Sequence, residues 1–479
     1  MPDPSTATTV AAAVERIWDE AVLPALEEYV RVPALSPAFD PDWEAHGHLD
    51  RAVELVRDWC AARPVPGLQA EVLRLPGLTP LLLLDVPASA GADPRARALL
   101  YGHLDKQPEM VGWRDGLGPW EPVVQHGRLY GRGGADDGYA PFAVCAALEA
   151  MAEAGLPHPR CLVLVEASEE SGSIHLDAHV EALAERLGRP DLVVGLDSGC
   201  ATWDRLWTTS SLRGLVALTV TVEVLAEGVH SGSHGGVAPS SFRVLRALLD
   251  RIEDADTGRV LVPALWADVP PNRREELAAT AAELGEEVLA GLPLVPGVRP
   301  MGTGPEDWLR ARTWEPSIAY VGVAGMPPPE RAGNVIRPAT TVKLAVRLPP
   351  TCPADRAADA LVDTLTADPP HGARVAVEVE SAETGWDAPP TAPWLAAALA
   401  EAGTAAFGRP PAAMGEGGSI PFIGKLGRRF PDAQFLVTGV LGPGSNAHGP
   451  NEFLHLAMAR GVTSVVAGVL AALADADRP

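Results

Sequence analysis

The sequence predicts an α/β fold interrupted by an inserted α+β domain, and three observations carry that prediction. Short apolar runs, LLLLDV at 81–86, ALLYGH at 98–103, CLVLVEA at 161–167 and LVVGLD at 192–197, alternate with stretches of helical periodicity. From 211 the texture changes: LVALTVTVEVL and, later, TTVKLAVRLP at 340–349 alternate as half-buried antiparallel strands do, and a helix is expected near 239–253. After 386 helical spacing returns to about 410, AQFLVTGV at 433–440 offers one more strand, and an Ala-rich helix closes the chain. The expected division is one domain in two segments, 1–210 and 386–479, around an insertion at 211–385.

Each element has its own signal. Residues 8–30 and 44–62 space apolar groups at helical intervals with charges between them, which predicts amphipathic surface helices. A Gly-rich stretch, Tyr130 to Gly138, leads into a helix expected from about Tyr139. At 479 residues the chain is long enough for two cores, and 47% hydrophobic with 21% charged residues describes a globular protein rather than a disordered one.

The formal charge of −24, from 38 Lys and Arg against 62 Asp and Glu, opposes a polyanionic partner, so nucleic acid is not expected. Cys60, Cys145, Cys161, Cys200 and Cys352 stand far apart with no CxxC pair, which fits a reducing cytoplasm better than a disulfide framework. The N-terminal MPDPSTATTV has no basic stretch followed by an apolar run, and no segment approaches 18 consecutive apolar residues. A cytoplasmic protein with no membrane partner is the expectation.

Side chains able to bind metal fall at or just beyond the ends of three apolar runs: His103, Glu169 with Glu170, and Asp197. In an open α/β sheet the carboxyl ends of the strands converge on one crevice, which would collect these groups. Gly102-His103-Leu104-Asp105 supplies an imidazole and a carboxylate two residues on, suited to a ligand and the group that orients it. Taken alone it reads more readily as a surface turn. Asp136 and Asp137 end a glycine turn at a helix N-terminus, where they serve as ligands or as simple caps. The adjacent Glu169 and Glu170 repel each other unless a cation or proton intervenes. His448 lies in a long polar turn, Gly442 to Glu452.

Taken in order, GHLD, GRLYGRGGADD, EASEESGS, LDS, HSGSHGG, GEGGSIP and NAHGPNE resemble the motif series of the dinuclear metallopeptidase family that includes carnosinase, carboxypeptidase G and aminoacylase, over nearly the whole chain. The resemblance implies a zinc-peptidase-like domain with a mixed, mainly parallel sheet, and an inserted lid that mediates homodimerisation. It implies that His103, Asp136 and Asp197 hold one divalent ion and that Asp136, Glu170 and His448 hold a second, with Asp136 bridging. Asp105 then orients His103, Glu169 is the general base, and His230 of the lid donates to the oxyanion, from its own or a partner subunit. A cis peptide between Asp136 and Asp137 is implied as well. Three carboxylate ligands facing two divalent cations leave one positive charge, which a bridging hydroxide cancels. Zn2+ is the first choice and Mn2+ or Co2+ the next.

Residues 243–275 and the long insertion resemble the dipeptidase branch of the family, so a dipeptide or dipeptide-like amide is the implied substrate. Arg347 and Ser419 would hold its carboxylate and Asn334 would lie near it. His234, His371 and His455 have no motif support and are expected to be structural or exposed. Two departures stand out: the lysine of the family's DDKG or DNKG is Gly138 here, and the arginine of REGGSIP is Gly415. An N-acyl amino acid amidohydrolase shares the same site and is the nearest alternative. A non-hydrolytic or amide-forming member is a further one, against which the presence of Glu169 and Asp105 argues.

Overall fold

The computed structural model describes residues 4–475, so part of the N-terminal stretch read above, residues 1–3, lies outside the described residues, as do 476–479. The chain divides into two compact units, the first made of 1–210, 388–414 and 421–479, the second of 211–387 and 415–420.

The strands used below are β1 (Gln69–Leu73), β2 (Leu81–Val86), β3 (Arg97–His103), β4 (Arg160–Glu166), β5 (Leu192–Gly195), β6 (Gly214–Glu223), β7 (Ser317–Ala324), β8 (Ala339–Leu348), β9 (Arg374–Glu383) and β10 (Gln434–Val437). In the first unit they form one six-stranded sheet in the order β1-β2-β4-β3-β5-β10. The β4/β3, β3/β5 and β5/β10 contacts are parallel, and β1/β2 and β2/β4 are antiparallel, giving a mixed sheet with parallel strands at its centre. β2 to β5 are almost wholly buried, which explains their continuous apolar reading. Tyr101 stacks on Phe422 of the helix Pro421–Arg429, whereas the Gly102 face meets Ala140 of the helix Tyr139–Ala154, so helices cover both faces of β3.

The helix Tyr139–Ala154 is buried from Tyr139 to Met151 and packs against the helices Pro4–Ile17 and Leu456–Ala474. Leu456–Ala474 is the one helix among the described residues long and apolar enough to cross a membrane, and it is mostly buried inside the protein. The stretch expected as one helix over 8–30 is two helices, Pro4–Ile17 and Leu23–Val30, joined by a wider turn at Trp18–Val22. That over 44–62 is broken at Gly47, whose φ of 67° ends Trp43–His46 before His48–Ala61 begins.

In the second unit β7-β8-β6-β9 form an antiparallel sheet. Val216, Leu218, Val220 and Val222 of β6 and Val342, Leu344, Val346 and Leu348 of β8 point to one face and pack with the helices Ser241–Leu249 and Ala354–Thr366. The period-two alternation read at 211–223 and 340–349 is this one buried face. β7 is an edge strand, with Tyr320, Val321 and Val323 exposed.

Candidate metal centre

The parallel register sets the site. His103, the last residue of β3, pairs with Glu166, the last of β4, and Tyr101 pairs with Gly195, the last of β5. Glu169 and Glu170 follow β4 in a short 3-10 turn and Asp197 follows β5 by two residues, so all three reach the same edge as His103. Asp136 comes from the glycine turn before the helix Tyr139–Ala154, and the Asp136–Asp137 peptide is cis. His448 comes from the turn after β10, in a left-handed conformation with φ 64°.

These residues converge as two groups of three that share one member: His103 with Asp136 and Asp197, and Asp136 with Glu170 and His448. His103 Nε2 stands 3.4 Å from one oxygen of Asp136 and 3.8 Å from Asp197 Oδ2. His448 Nε2 stands 3.0 Å from the other oxygen of Asp136 and 3.3 Å from Glu170 Oε2. His103, Asp136 and Asp197 are buried; His448 is half exposed.

His103 Nδ1 donates to the main-chain carbonyl of Asp105 at 3.0 Å, which places the remaining lone pair on Nε2. That buried nitrogen has no aligned hydrogen-bond partner, because the approach to Asp136 is off-line. An orphaned imidazole nitrogen aimed at carboxylates fits a cation between them. The carboxylate of Asp105 is 3.6 Å from the ring and spends its hydrogen bonds on the amides of Glu169 at 3.0 Å and Glu170 at 2.9 Å. Asp105 thus ties the imidazole, through its carbonyl, to the turn that carries both glutamates.

The electrostatics agree with the donor set. Burial pushes Glu169 up to about 8, with Glu166, Asp105 and Asp136 adding to the shift. Burial, then Asp136, raises Glu170, and burial followed by Asp136 and Asp137 raises Asp197. Asp136 goes the other way: burial would raise it, but the charges of His103 and His448 close beside it hold it below the usual carboxylate range. For His103, burial opposes protonation, yet Asp105, Asp136 and Asp197 raise it well above the usual imidazole range. A site that pulls a proton onto a buried imidazole is one in which positive charge is wanted.

His230, Asn334, Arg347 and Ser419 lie in the second unit. His230 pairs with Val335 in a two-stranded ribbon, and Asn334 precedes that strand and accepts the Ser231 amide at 2.9 Å. His230 Nδ1 accepts the Gly232 amide at 3.1 Å, which leaves the ring proton on Nε2. Arg347 donates to Ser419 Oγ at 3.2 Å. A Cβ at Gly415, where the family resemblance puts an arginine, would lie 2.6 Å from Ser211 Oγ and 3.2 Å from Thr313 Cβ, so a side chain there requires these neighbours to shift. His234 and His371 are exposed, and His455 caps the last helix by accepting the Met458 amide at 3.2 Å.

Several supporting residues escaped the sequence reading. Gln107 donates to Glu170 Oε2 at 2.6 Å. The buried pair Arg132 and Glu452, 2.7 Å apart, joins the two turns: Glu452 Oε1 accepts the Gly133 and Ala135 amides, and Arg132 donates to the Gly449 carbonyl at 2.7 Å. Glu452 lay inside the last motif and Arg132 inside the glycine motif, but nothing in either motif told which partner each would take.

Comparison with known proteins agrees with this geometry. A family-wide sequence pattern described as peptidase family M20/M25/M40 matches residues 99–472. Cysteinylglycine-S-conjugate dipeptidase of Corynebacterium striatum is 30% identical over 382 residues, covering 75% of this chain and 79% of that protein. Human Beta-Ala-His dipeptidase is 28% identical over 48% of this chain and 52% of its own length. The Cys-Gly metallodipeptidase of Schizosaccharomyces pombe is 28% identical over 54% and 55%, so these two matches span about half of each relative. In fold, human carnosine dipeptidase 1 superposes with a TM-score of 0.75 at 20% identity, over 99% of this chain and 100% of that one. The Saccharomyces cerevisiae di-peptidase gives 0.77 at 21% identity, over 98% and 99%. With its sequence pattern, its relatives and its fold in agreement, the chain belongs to peptidase family M20/M25/M40.

Proposed function

We propose that this chain is a dinuclear metallodipeptidase that hydrolyses a dipeptide or dipeptide-like amide, with His103, Asp136 and Asp197 holding one divalent ion and Asp136, Glu170 and His448 the other. The observation that carries the reading is the shared carboxylate, one oxygen of Asp136 facing His103 and the other facing His448. Three carboxylates and two imidazoles suit zinc first, then manganese or cobalt. When bound, the ions supply Lewis acidity at the scissile carbonyl and lower the pKa of water at the site.

The protein groups then divide the work. Glu169 takes the proton from the attacking water and delivers it to the leaving amine. Asp105 keeps His103 and the Glu169 turn in register. His230, its proton on Nε2, donates to the oxyanion, a role worth about 100 to 1000 fold in rate for such donors. Arg347 with Ser419 holds the substrate carboxylate, and Asn334 flanks it.

The dipeptide reading draws on the relatives, one named for cysteinylglycine-S-conjugates, one for Cys-Gly and one for Beta-Ala-His. The unit at 211–387 serves as the lid and as the dimer contact. The exposed apolar edge β7 supports that role, and the solution mass by light scattering checks it. A cytoplasmic location fits the five buried cysteine thiols.

The test is turnover of a dipeptide panel beside N-acetyl and N-succinyl amino acids, for the parent and for Glu169→Gln. Dipeptide hydrolysis that falls at least 100 fold in Glu169→Gln is expected. Turnover confined to the acyl compounds would overturn the dipeptide reading, and an undiminished variant would overturn the role of Glu169.

A further inference from the structure

Lys106 is a fully buried lysine three residues beyond His103 that no step of the proposed chemistry uses. Its Nζ donates to the carbonyls of Tyr29 at 2.9 Å, Val30 at 3.2 Å and Val32 at 2.8 Å, so each of its three N–H bonds has an acceptor. These carbonyls lie at the end of the helix Leu23–Val30 and just beyond it, where the helix favours a cation; Tyr29 O and Val32 O also accept the amides of Val32 and Ala34. The ammonium also lies 4.0 Å from the centre of the Tyr29 ring and 5.3 Å from that of Trp120. Its main chain is clipped to the same segment, through Lys106 N to Ala34 O at 2.9 Å and Ser36 N to Lys106 O at 3.0 Å.

The other side of the lysine faces the glycine turn. A Cβ on Gly133 would lie 2.7 Å from both Cγ and Cε of Lys106. Gly133 is the residue before Gly134–Gly138, the turn that carries Asp136. Gly138, which stands where the family resemblance puts a lysine, is closed in the same way: a Cβ there would overlap Tyr29 Cε1 and come within 2.5 Å of Gly133 O. The space that a side chain at 138 would enter is filled by the ring that Lys106 covers.

We propose that Lys106 is a positioning residue for the metal centre, supplying from the β3 side the buried cation that position 138 lacks and fixing the glycine turn so that Asp136 faces both metal positions. This rests on the reading of Asp136 as the shared ligand. The fit of stem against Gly133 and of ammonium against three carbonyls leaves the turn one resting place relative to His103, which is anchored three residues from Lys106. Burial presses the ammonium pKa well down, with Glu452 acting against the shift. The three carbonyls and two aromatic faces are the compensation that burial requires.

The test compares metal affinity, by competition with a chromophoric chelator, in metal-stripped parent, Lys106→Met, Lys106→Gln and a stability control, Val466→Ala, from the buried face of the last helix. Loss of an outer residue that orients ligands typically costs about 10 to 100 fold in affinity. Lys106→Met should show a loss of that size, Lys106→Gln, which keeps two N–H donors, a smaller one, and Val466→Ala none despite its lower melting temperature. If Lys106→Met does not fold, Lys106→Gln carries the measurement. Affinity within twofold of the parent in the folded Lys106 variants, or an equal loss in Val466→Ala, overturns the proposal while leaving the dinuclear site standing. A parent chain that binds no zinc or manganese overturns the dinuclear site itself.

Discussion

Glu452 is the residue on which the two halves of the centre depend most directly, although it touches no substrate. It is wholly buried, 2.7 Å from an equally buried Arg132, and its second oxygen receives the amides of Gly133 and Ala135 at 3.0 Å and 3.3 Å. Arg132 in turn donates to Gly449, next to His448. Removing the negative charge leaves a buried guanidinium uncompensated, a change that costs about 3 to 5 kcal/mol where such pairs have been broken. Glu452→Gln keeps one acceptor and is expected at the lower end, about 3 kcal/mol by urea denaturation of the full chain. A loss under 1 kcal/mol would show that water or a rearranged turn takes over the pairing.

At the scale of elements, the pair of strands that begins the buried part of the sheet carries its own charge lock. Asp85 of β2 and Arg160 of β4 meet through two hydrogen bonds, 3.1 Å and 2.7 Å. Burial would raise the Asp85 pKa, but the hydrogen bond and charge of Arg160, with Arg186 behind it, bring it below the usual carboxylate value. A carboxyl whose folded pKa lies below its unfolded value of about 3.9 stabilises the fold above that pH, and the contribution fades as pH falls through the folded pKa. Asp85→Asn is therefore expected to cost about 0.5 to 1 kcal/mol at pH 7. The gap to the parent should close below pH 4, read from denaturation curves of both proteins across pH. A gap independent of pH would assign the loss to packing.

The same elements show what a sequence can and cannot display. β3, β4 and β5 were legible because both their faces are buried and each ends in, or just before, a group with metal chemistry. β6 and β8 were legible because one face is buried. β7 was not, since an exposed edge strand with a glycine has neither pattern. The helices Pro271–Leu284 and Pro305–Thr313 also passed unread, being rich in charge and short of apolar positions. Within the site, the ligands stand at strand ends and in glycine turns, where their type is informative. Lys106, Arg132, Gln107 and Glu452 act through partners distant in sequence, such as the carbonyls of Tyr29 to Val32, and no local spacing reports such a meeting.

For the whole molecule the decisive property is that the candidate centre gathers buried Asp136 and Asp197 with partly buried Glu169 and Glu170 in a chain whose net charge is already −24. Such a cluster needs bound cations or protons to offset its charge, so metal binding and the stability of the first unit are linked. At a free ion concentration 100 times Kd, binding contributes about 2.7 kcal/mol, or about 100 fold in the equilibrium between closed and open forms. The second unit has its own sheet and core and contains none of these ligands. Chelation of the metal-loaded chain is expected to speed amide hydrogen exchange by up to about 100 fold in Gly134–Gly138, Glu169–Ser171 and residues 442–452. Exchange in β6 and β8 should stay within about threefold, because metal release leaves their buried face untouched. Mass spectrometry of exchange with chelator, and again after zinc is restored, resolves these segments separately. An equal acceleration in both units would mean that the ions stabilise the chain globally, and unchanged exchange in the three ligand segments would mean that they do not hold metal.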